Sequence, residues 1–144
     1  MSLLEKNTIK FKLTEWQINN KSIVFTNGCF DLLHQGHHDL LSKASTFGDI
    51  LIVGLNSDSS IRRLKGQDRP IENEIIRSKN LLNLQFVNYV IIFDSETPQD
   101  LIKIIMPDVL VKGGDYTKES LPEYDVVTTY DGQVIILPFL DGKS

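Results

Sequence analysis

The sequence predicts an α/β protein of three layers, a Rossmann-like parallel sheet of five strands with helices on both faces. Three observations predict it. Short runs rich in Val, Ile and Leu recur along the chain without the apolar–polar alternation of a sheet that has one wet face. Segments with helical spacing separate those runs, as βαβ units require. Turn-forming residues stand where the runs stop: Asn27-Gly28, Asn56, Asp94 and Gly113-Gly114.

In chain order, SIVFTN (22–27) reads as the first buried strand. GHHDLLSKASTF follows as a helix, with His37, Leu40, Leu41, Ala44 and Phe47 near one face. DILIVGLN (49–56) is the second strand. SDSSIRRL is a short helix with Ser57 or Asp58 as its N-cap, and ENEIIRSKNLLNLQ (72–85) is a longer one. VNYVIIF is the third strand. Thr97-Pro98 starts the next helix, because proline suits the first helical position, and Pro107 stops it. DVLVKGG and QVIILPF are the fourth and fifth strands. Sheets of this kind bind ligands beyond the carboxyl ends of their strands, where strand order reverses.

A length of 144 residues suits one domain, 1–144, with about the first 20 residues an N-terminal extension or helix. No apolar run approaches the ~20 residues that span a bilayer, and MSLLEKNTIKFK lacks a signal-peptide core. The expected setting is therefore the cytoplasm, away from the membrane. The single cysteine, Cys29, excludes an internal disulfide and suits a reducing compartment. A formal net charge of -4 argues against a nucleic-acid partner. Arg62, Arg63, Lys65, Arg69, Arg77 and Lys79 nevertheless cluster; they read as a solvated helix face or as a collar for a small anion.

All three histidines fall within VFTNGCFDLLHQGHHDLL (24–41), directly after the first strand. Gly28 permits a tight turn and close approach of the backbone to a ligand. The following helix start offers unpaired N–H groups and a positive dipole end. His34 and His37, spaced i, i+3, can face the same way, and Gly36 leaves room for a phosphate. Two imidazole donors would suit a polyphosphate that gains charge as it reacts. A zinc site is the weaker alternative, since the spacing is not H-E-x-x-H and no distant Cys or His completes it. Magnesium carried in by a nucleotide fits better. His38 has no spacing argument of its own and reads as a surface or supporting residue.

GCFDLLHQGH resembles the G-x-F-D-x-x-H-x-G-H signature of the cytidylyltransferase-like nucleotidyltransferases, so the fold implied is that of the HxGH enzymes. RLKGQDRPI, TPQDLI, MPDVLVKGGDY and GQVIILPFLDGKS resemble one branch, the adenylyltransferase domains of ADP-heptose synthases, which serve lipopolysaccharide core biosynthesis. The resemblance runs from about residue 21 onward. With no kinase-sized segment ahead of it, the chain reads as a stand-alone form. The implied reaction transfers AMP from ATP, with Mg2+, to D-glycero-D-manno-heptose 1-phosphate and releases pyrophosphate. A cytidylyltransferase acting on glycerol 3-phosphate or a similar phospho-alcohol is the alternative, and a nucleotide-binding protein without turnover is another. The resemblance also allows a homodimer.

Residue by residue, the resemblance gives His34 and His37 the triphosphate and the emerging charge. It gives Lys65, on a segment after the second strand, closure over the phosphates. Asn27, Gly28 and the backbone at Cys29 and Phe30 would meet phosphate, the Cys29 thiol being incidental. Asp31 would order the loop or touch ligand, and Arg77 would bind phosphate or brace the site. Asn56 and Asp58 have ligand or helix-cap roles in competition. In VKGGDY, Lys112, Gly114 and Asp115 would approach the nucleotide, Asp115 near the base or ribose. Ser144 would open the Ser/Thr-rich stretch that binds triphosphate in the family.

Overall fold

The computed structural model describes residues 2–138. Six strands form one sheet: β1 (Ser2–Leu4), β2 (Ile23–Gly28), β3 (Ile50–Asn56), β4 (Tyr89–Phe93), β5 (Val109–Gly113) and β6 (Gln133–Leu137). All pairings are parallel, in the order β1-β4-β3-β2-β5-β6. The five expected strands are present, and β1 is a sixth. Its three residues are too short to carry a period, and it exists by pairing with β4 at the sheet edge.

The helices are α1 (Lys6–Ile18), α2 (Gln35–Ser45), α3 (Asp58–Lys65), α4 (Glu74–Leu82), α5 (Gln99–Ile105) and α6 (Tyr124–Thr129), with a 3-10 turn at Lys118–Ser120. Ser57 caps α3 by accepting from the Ser60 N–H, and Asn73 caps α4 by accepting from the Ile76 N–H. That cap starts α4 two residues later than expected. Pro98 stands one place earlier than expected, at the N-cap of α5. Met106 closes α5 in the left-handed region (φ 49°), and Pro107 follows.

Each face of the sheet carries its own core, because successive side chains of a strand point to opposite sides. Ile23, Phe25, Ile50 and Ile52 pack with Ile9 and Trp16 of α1, Leu101 and Ile102 of α5 and Val127 of α6. Val24, Leu51, Val53 and Leu55 pack with Leu41 and Ala44 of α2 and Leu81 of α4. Burying one such aliphatic side chain stabilises the fold by roughly 1.5–3 kcal/mol. The amino ends of the central strands are tied by side chains: Asp49 accepts from the Ser22 N–H, Asp108 from the Ile23 N–H and Asn88 from the Leu51 N–H, each at 2.8 Å.

From β2 the chain winds outward through β3 to β4, then crosses back to β5 and β6. Strand order therefore reverses between β2 and β5, and the crevice beyond their carboxyl ends is the expected ligand site. Asn27 and Lys112 lie one on each side of it, with Lys112 Nζ donating to Asn27 Oδ1 at 3.1 Å.

Candidate active site

The loop between β2 and α2 is under backbone strain. Phe30 (φ 47°) and Leu32 (φ 56°) both adopt left-handed backbone, which costs roughly 1–2 kcal/mol for a residue with a side chain. Asp31 between them holds the turn. Its Oδ2 accepts from the Ile71 N–H at 2.8 Å and its Oδ1 from the Glu72 N–H at 3.0 Å. Glu72 Oε1 accepts in return from the Leu32 N–H at 3.3 Å, and Arg69 lies 3.8 Å from Asp31. Burial pushes the Asp31 carboxyl up, but the two amide hydrogen bonds and the charges of Arg77 and Arg69 outweigh it, and the net direction is down. Asp31 thus latches the signature loop to residues 69–72.

His34 and His37 meet at the first turn of α2. His34 is the N-cap, its Nδ1 accepting from the Gly36 N–H at 3.1 Å. His37 Nδ1 accepts from the His34 N–H at 3.3 Å. The rings stack with centroids 3.8 Å apart and planes 22° apart, and Phe30 stands edge-on to His37 at 5.3 Å. With Nδ1 accepting, each neutral imidazole carries its proton on Nε2, so both present an Nε2–H donor. Burial, with nearby His34 and Lys65, brings the His37 pKa down to about 4. His37 is accordingly neutral at pH 7, a donor without charge. A Cβ on Gly36 would stand 2.9 Å from His34 Cε1, so the glycine makes room for this imidazole.

A cavity of about 530 Å³ opens in front of the pair. It is lined by Cys29, Phe30 and Asp31 of the loop, by both imidazoles, and by Ile61, Lys65 and Arg69. Of the basic cluster, Lys65 and Arg69 line this cavity. Arg69 was not singled out as a site residue, and the only signal for it was its place in that cluster. Arg63 is engaged elsewhere, its Nε donating to Glu96 at 2.8 Å. A second, largely apolar hollow between α5 and α6 contains none of the predicted site residues.

Of the two roles expected for Arg77, binding phosphate or bracing the site, its surroundings fit the brace: it is fully buried and donates to backbone and to Asp58. Its Nε donates to Glu72 O (2.9 Å), its Nη1 to Cys29 O (2.9 Å) and Asn56 O (2.8 Å), and its Nη2 to Asp58 Oδ1 (2.7 Å). Four of its five N–H donors are thereby used within the protein, so it braces the ends of β2 and β3. Asp58 and the Asn56 carbonyl are accordingly engaged as partners of this brace.

Asn27 and Gly28 end β2 beneath the loop. Burial pushes the Cys29 thiol up, against the pull of Lys65 and Arg77, so it stays protonated. Lys112 is drawn to Asn27, and Gly114 (φ 131°) takes a backbone conformation suited to glycine. Asp115 is exposed and does not line the cavity. His38 stands edge-on to Phe86 at 5.0 Å. Ser144 lies outside the described residues. Among those residues no group of three or more His, Cys, Asp or Glu is placed to hold a metal ion, and no helix is long and apolar enough to cross a membrane.

The profile of the cytidylyltransferase-like family matches residues 25–137, from β2 to the end of β6. The chain belongs to the cytidylyltransferase-like family. Its similarity extends to proteins named bifunctional protein HldE. The one from Geotalea uraniireducens is 56% identical over 124 residues, covering 86% of this chain and 25% of that protein. The one from Wolinella succinogenes is 49% identical over 142 residues, 99% of this chain and 29% of that protein. The chain thus spans about a quarter of the length of these curated relatives. Among solved structures, the lipopolysaccharide core biosynthesis protein from Thermoplasma volcanium superposes with a TM-score of 0.66 at 25% identity, over 83% of this chain and 97% of that one. The pantoate-beta-alanine ligase from Francisella tularensis, at 15% identity and a TM-score of 0.64 over 96% of this chain and 67% of its own, shares the fold alone. The signature in GCFDLLHQGH therefore sits on the framework that the family resemblance implied.

Proposed function

We propose that this chain transfers AMP from ATP to a sugar 1-phosphate, D-glycero-D-manno-heptose 1-phosphate being the acceptor favoured by similarity to the HldE proteins. The observation that carries the reading is the pair of stacked imidazoles, each with its proton on Nε2, facing a cavity rimmed by Lys65 and Arg69. An acceptor phosphate oxygen attacks the α-phosphorus of ATP, the new P–O bond forms, and the bond to the β-phosphate breaks. The acceptor oxygen is already anionic at neutral pH, so no general base is needed. Catalysis rests on alignment and on donors aimed at the charge that moves to the leaving pyrophosphate.

His34 and His37 donate to that charge, His37 as a neutral imidazole, and Lys65 and Arg69 neutralise it. The cavity's donor set also bears on Mg2+. Imidazolyl N–H, ammonium and guanidinium groups repel a bare cation, and both Asp31 oxygens are taken by amides. Mg2+ therefore fits as part of the substrate, held by the triphosphate and its own waters.

The test is pyrophosphate release with ATP, CTP, GTP or UTP, each paired with heptose 1-phosphate or glycerol 3-phosphate. Release with ATP and heptose 1-phosphate is the expected result. Release with CTP alone refutes adenylyl transfer, and no release from any pair refutes turnover. His34→Ala and His37→Ala should each lower kcat by about 10²–10³ with the fold intact, the usual loss for one transition-state donor.

A further inference from the structure

The helices α1, α5 and α6 pack on one face of the sheet, opposite the face that packs α2 and α4. α1 lies beside α5, and α5 beside α6. Each joins two parallel strands, so all three run from the carboxyl end of the sheet to its amino end. α1 buries Ile9 and Trp16 against the sheet, yet Phe11 is 79% exposed and Ile18 is 74% exposed. Seven residues make nearly two helical turns, so these two lie within about 20° of each other, on the side of α1 away from the core. The matched family profile begins at residue 25, so this ridge lies outside it. Between α5 and α6 is the hollow of about 380 Å³, lined by Lys103, Met106, Asp125, Val126, Thr129 and Tyr130. Lys103, Met106, Asp125 and Thr129 are exposed, so the hollow opens away from the sheet, as the ridge does. One outer surface thus presents both large apolar side chains and an apolar recess, the mark of an interaction site.

Charge decides what fits there. α1 carries Lys6, Lys10 and Lys12 against Glu15. The outer side of α5 and α6 carries Asp100, Asp125 and the following Asp131 against Lys103, all exposed. The ridge is therefore net positive and the surround of the hollow net negative. A second copy laid ridge on ridge sets like charge on like. A copy laid ridge on hollow sets positive on negative, and a two-fold axis makes that contact twice. The area suffices as well. Three helices, each 10–12 Å across with side chains, the longest of 13 residues, make a face of about 20 Å by 30 Å. That is on the order of the ~800 Å² each partner contributes to a stable interface, about a tenth of the 7970 Å² surface of the chain. The histidine cavity is lined from the loop after β2, α2, α3 and Arg69, so pairing through α1, α5 and α6 leaves it open in both copies. We propose that this face is the interface of a homodimer, in which the Phe11–Ile18 ridge of each copy seats on the α5–α6 hollow of the other. The inference goes beyond nucleotidyl transfer and does not rest on it.

Sedimentation equilibrium on the full chain tests it. At about 100 μM, where a micromolar dimer is mostly formed, the mass should be twice the 16.4 kDa of one chain. Phe11→Glu and Ile18→Glu on the ridge, and Met106→Arg in the hollow, should each weaken the dimer by about a hundredfold or more, because each breaks both copies of the contact. Ile75→Glu, which replaces an exposed isoleucine on α4, should leave the dimer unchanged. An equal mixture of Phe11→Glu and Met106→Arg should recover it. In the mixed pair one contact is intact, and the other opposes two introduced charges of opposite sign. Added salt should weaken the wild-type dimer. Circular dichroism checks the fold of each variant, and Thr129→Arg at the rim replaces Met106→Arg if that chain unfolds. A monomeric wild type at this concentration overturns the proposal, as does a dimer that survives both ridge variants. A dimer broken by the ridge variants but not by the hollow variant, or a mixture that stays monomeric, places the ridge elsewhere and overturns the seating. A monomeric chain that sediments with phosphatidylglycerol vesicles, and loses this in Phe11→Glu, gives the ridge to a membrane surface and also overturns it.

Discussion

Replacing Arg77 by methionine distinguishes a brace from a phosphate ligand. Methionine roughly keeps the length of the stem and removes every donor. The buried guanidinium serves three backbone carbonyls, Glu72, Cys29 and Asn56, and the carboxylate of Asp58. Its removal leaves those acceptors to find water or go unpaired, with Asp58 only partly exposed. Breaking a buried pair by deleting one partner costs about 3–5 kcal/mol. Hydrogen bonds to charged groups are individually worth about 1.5–3 kcal/mol but do not add when they share one group. The expected loss for Arg77→Met is thus about 3–5 kcal/mol, a large share of the roughly 5–15 kcal/mol of a typical domain. Urea unfolding followed by circular dichroism reads it as a fall in midpoint at constant m-value. Arg77→Lys keeps the charge but not the fan of donors, and should recover about half of the loss. A loss below about 1 kcal/mol, joined to a tenfold or greater fall in ATP affinity, would refute the bracing role.

Gly36→Ala should lower kcat at least tenfold with stability nearly unchanged. The new Cβ meets His34 Cε1 at 2.9 Å, while alanine gains roughly 0.5–1 kcal/mol of helix propensity; activity assays and a thermal melt on one preparation check it. Asp31→Asn should cost about 1 kcal/mol and speed hydrogen exchange at the Ile71 and Glu72 amides, which lose a charged acceptor. Unchanged exchange there would show that Asp31 does not latch residues 69–72. Acid should weaken the fold through His37, whose folded pKa of about 4 lies below its ordinary 6.5. Between those values the unfolded chain binds more protons, so this contribution is complete above pH 6.5 and is lost as pH falls toward 4. Full burial would make that difference worth a few kcal/mol (~3), and partial exposure reduces it to about 1–2 kcal/mol. His37→Asn should remove that slope from stability measured between pH 7 and 4.5.

The sheet was legible because its signal is local and repeated. The runs around Val24, Leu51, Val90, Leu110 and Val134 had to be buried on both faces, and each is a strand of the parallel sheet. The histidine loop was legible for a different reason, since its position after the first strand put it at the sheet's ligand-binding end. Two short elements, β1 and α6, were not legible. β1 borrows its hydrogen bonds from β4, and α6 has six residues whose burial depends on packing against β6 and α5. Neither carries enough sequence for a period to be read.

The site residues divide along the same line. His34, His37 and Gly36 are bound by spacing within one helical turn, so their mutual arrangement could be read from a stretch of four residues. Arg77 could not, because its partners Cys29, Asn56 and Asp58 come from segments 48, 21 and 19 residues away. An arginine on a helix that carries exposed isoleucines at 75 and 76 looks like a surface or ligand-binding cation until the two strand ends close over it. That closure follows from the fold. Once β2 and β3 lie side by side in parallel, the carbonyls that leave the sheet at Cys29 and Asn56 have no next strand to pair with. A buried carbonyl needs a donor, and a guanidinium can serve several at once. The strained loop after β2 therefore depends on a buried charge that does not line the cavity. Loss of Arg77 should be felt at His34 and His37 through the backbone of residues 29–34, as a fall in kcat that accompanies the loss of stability.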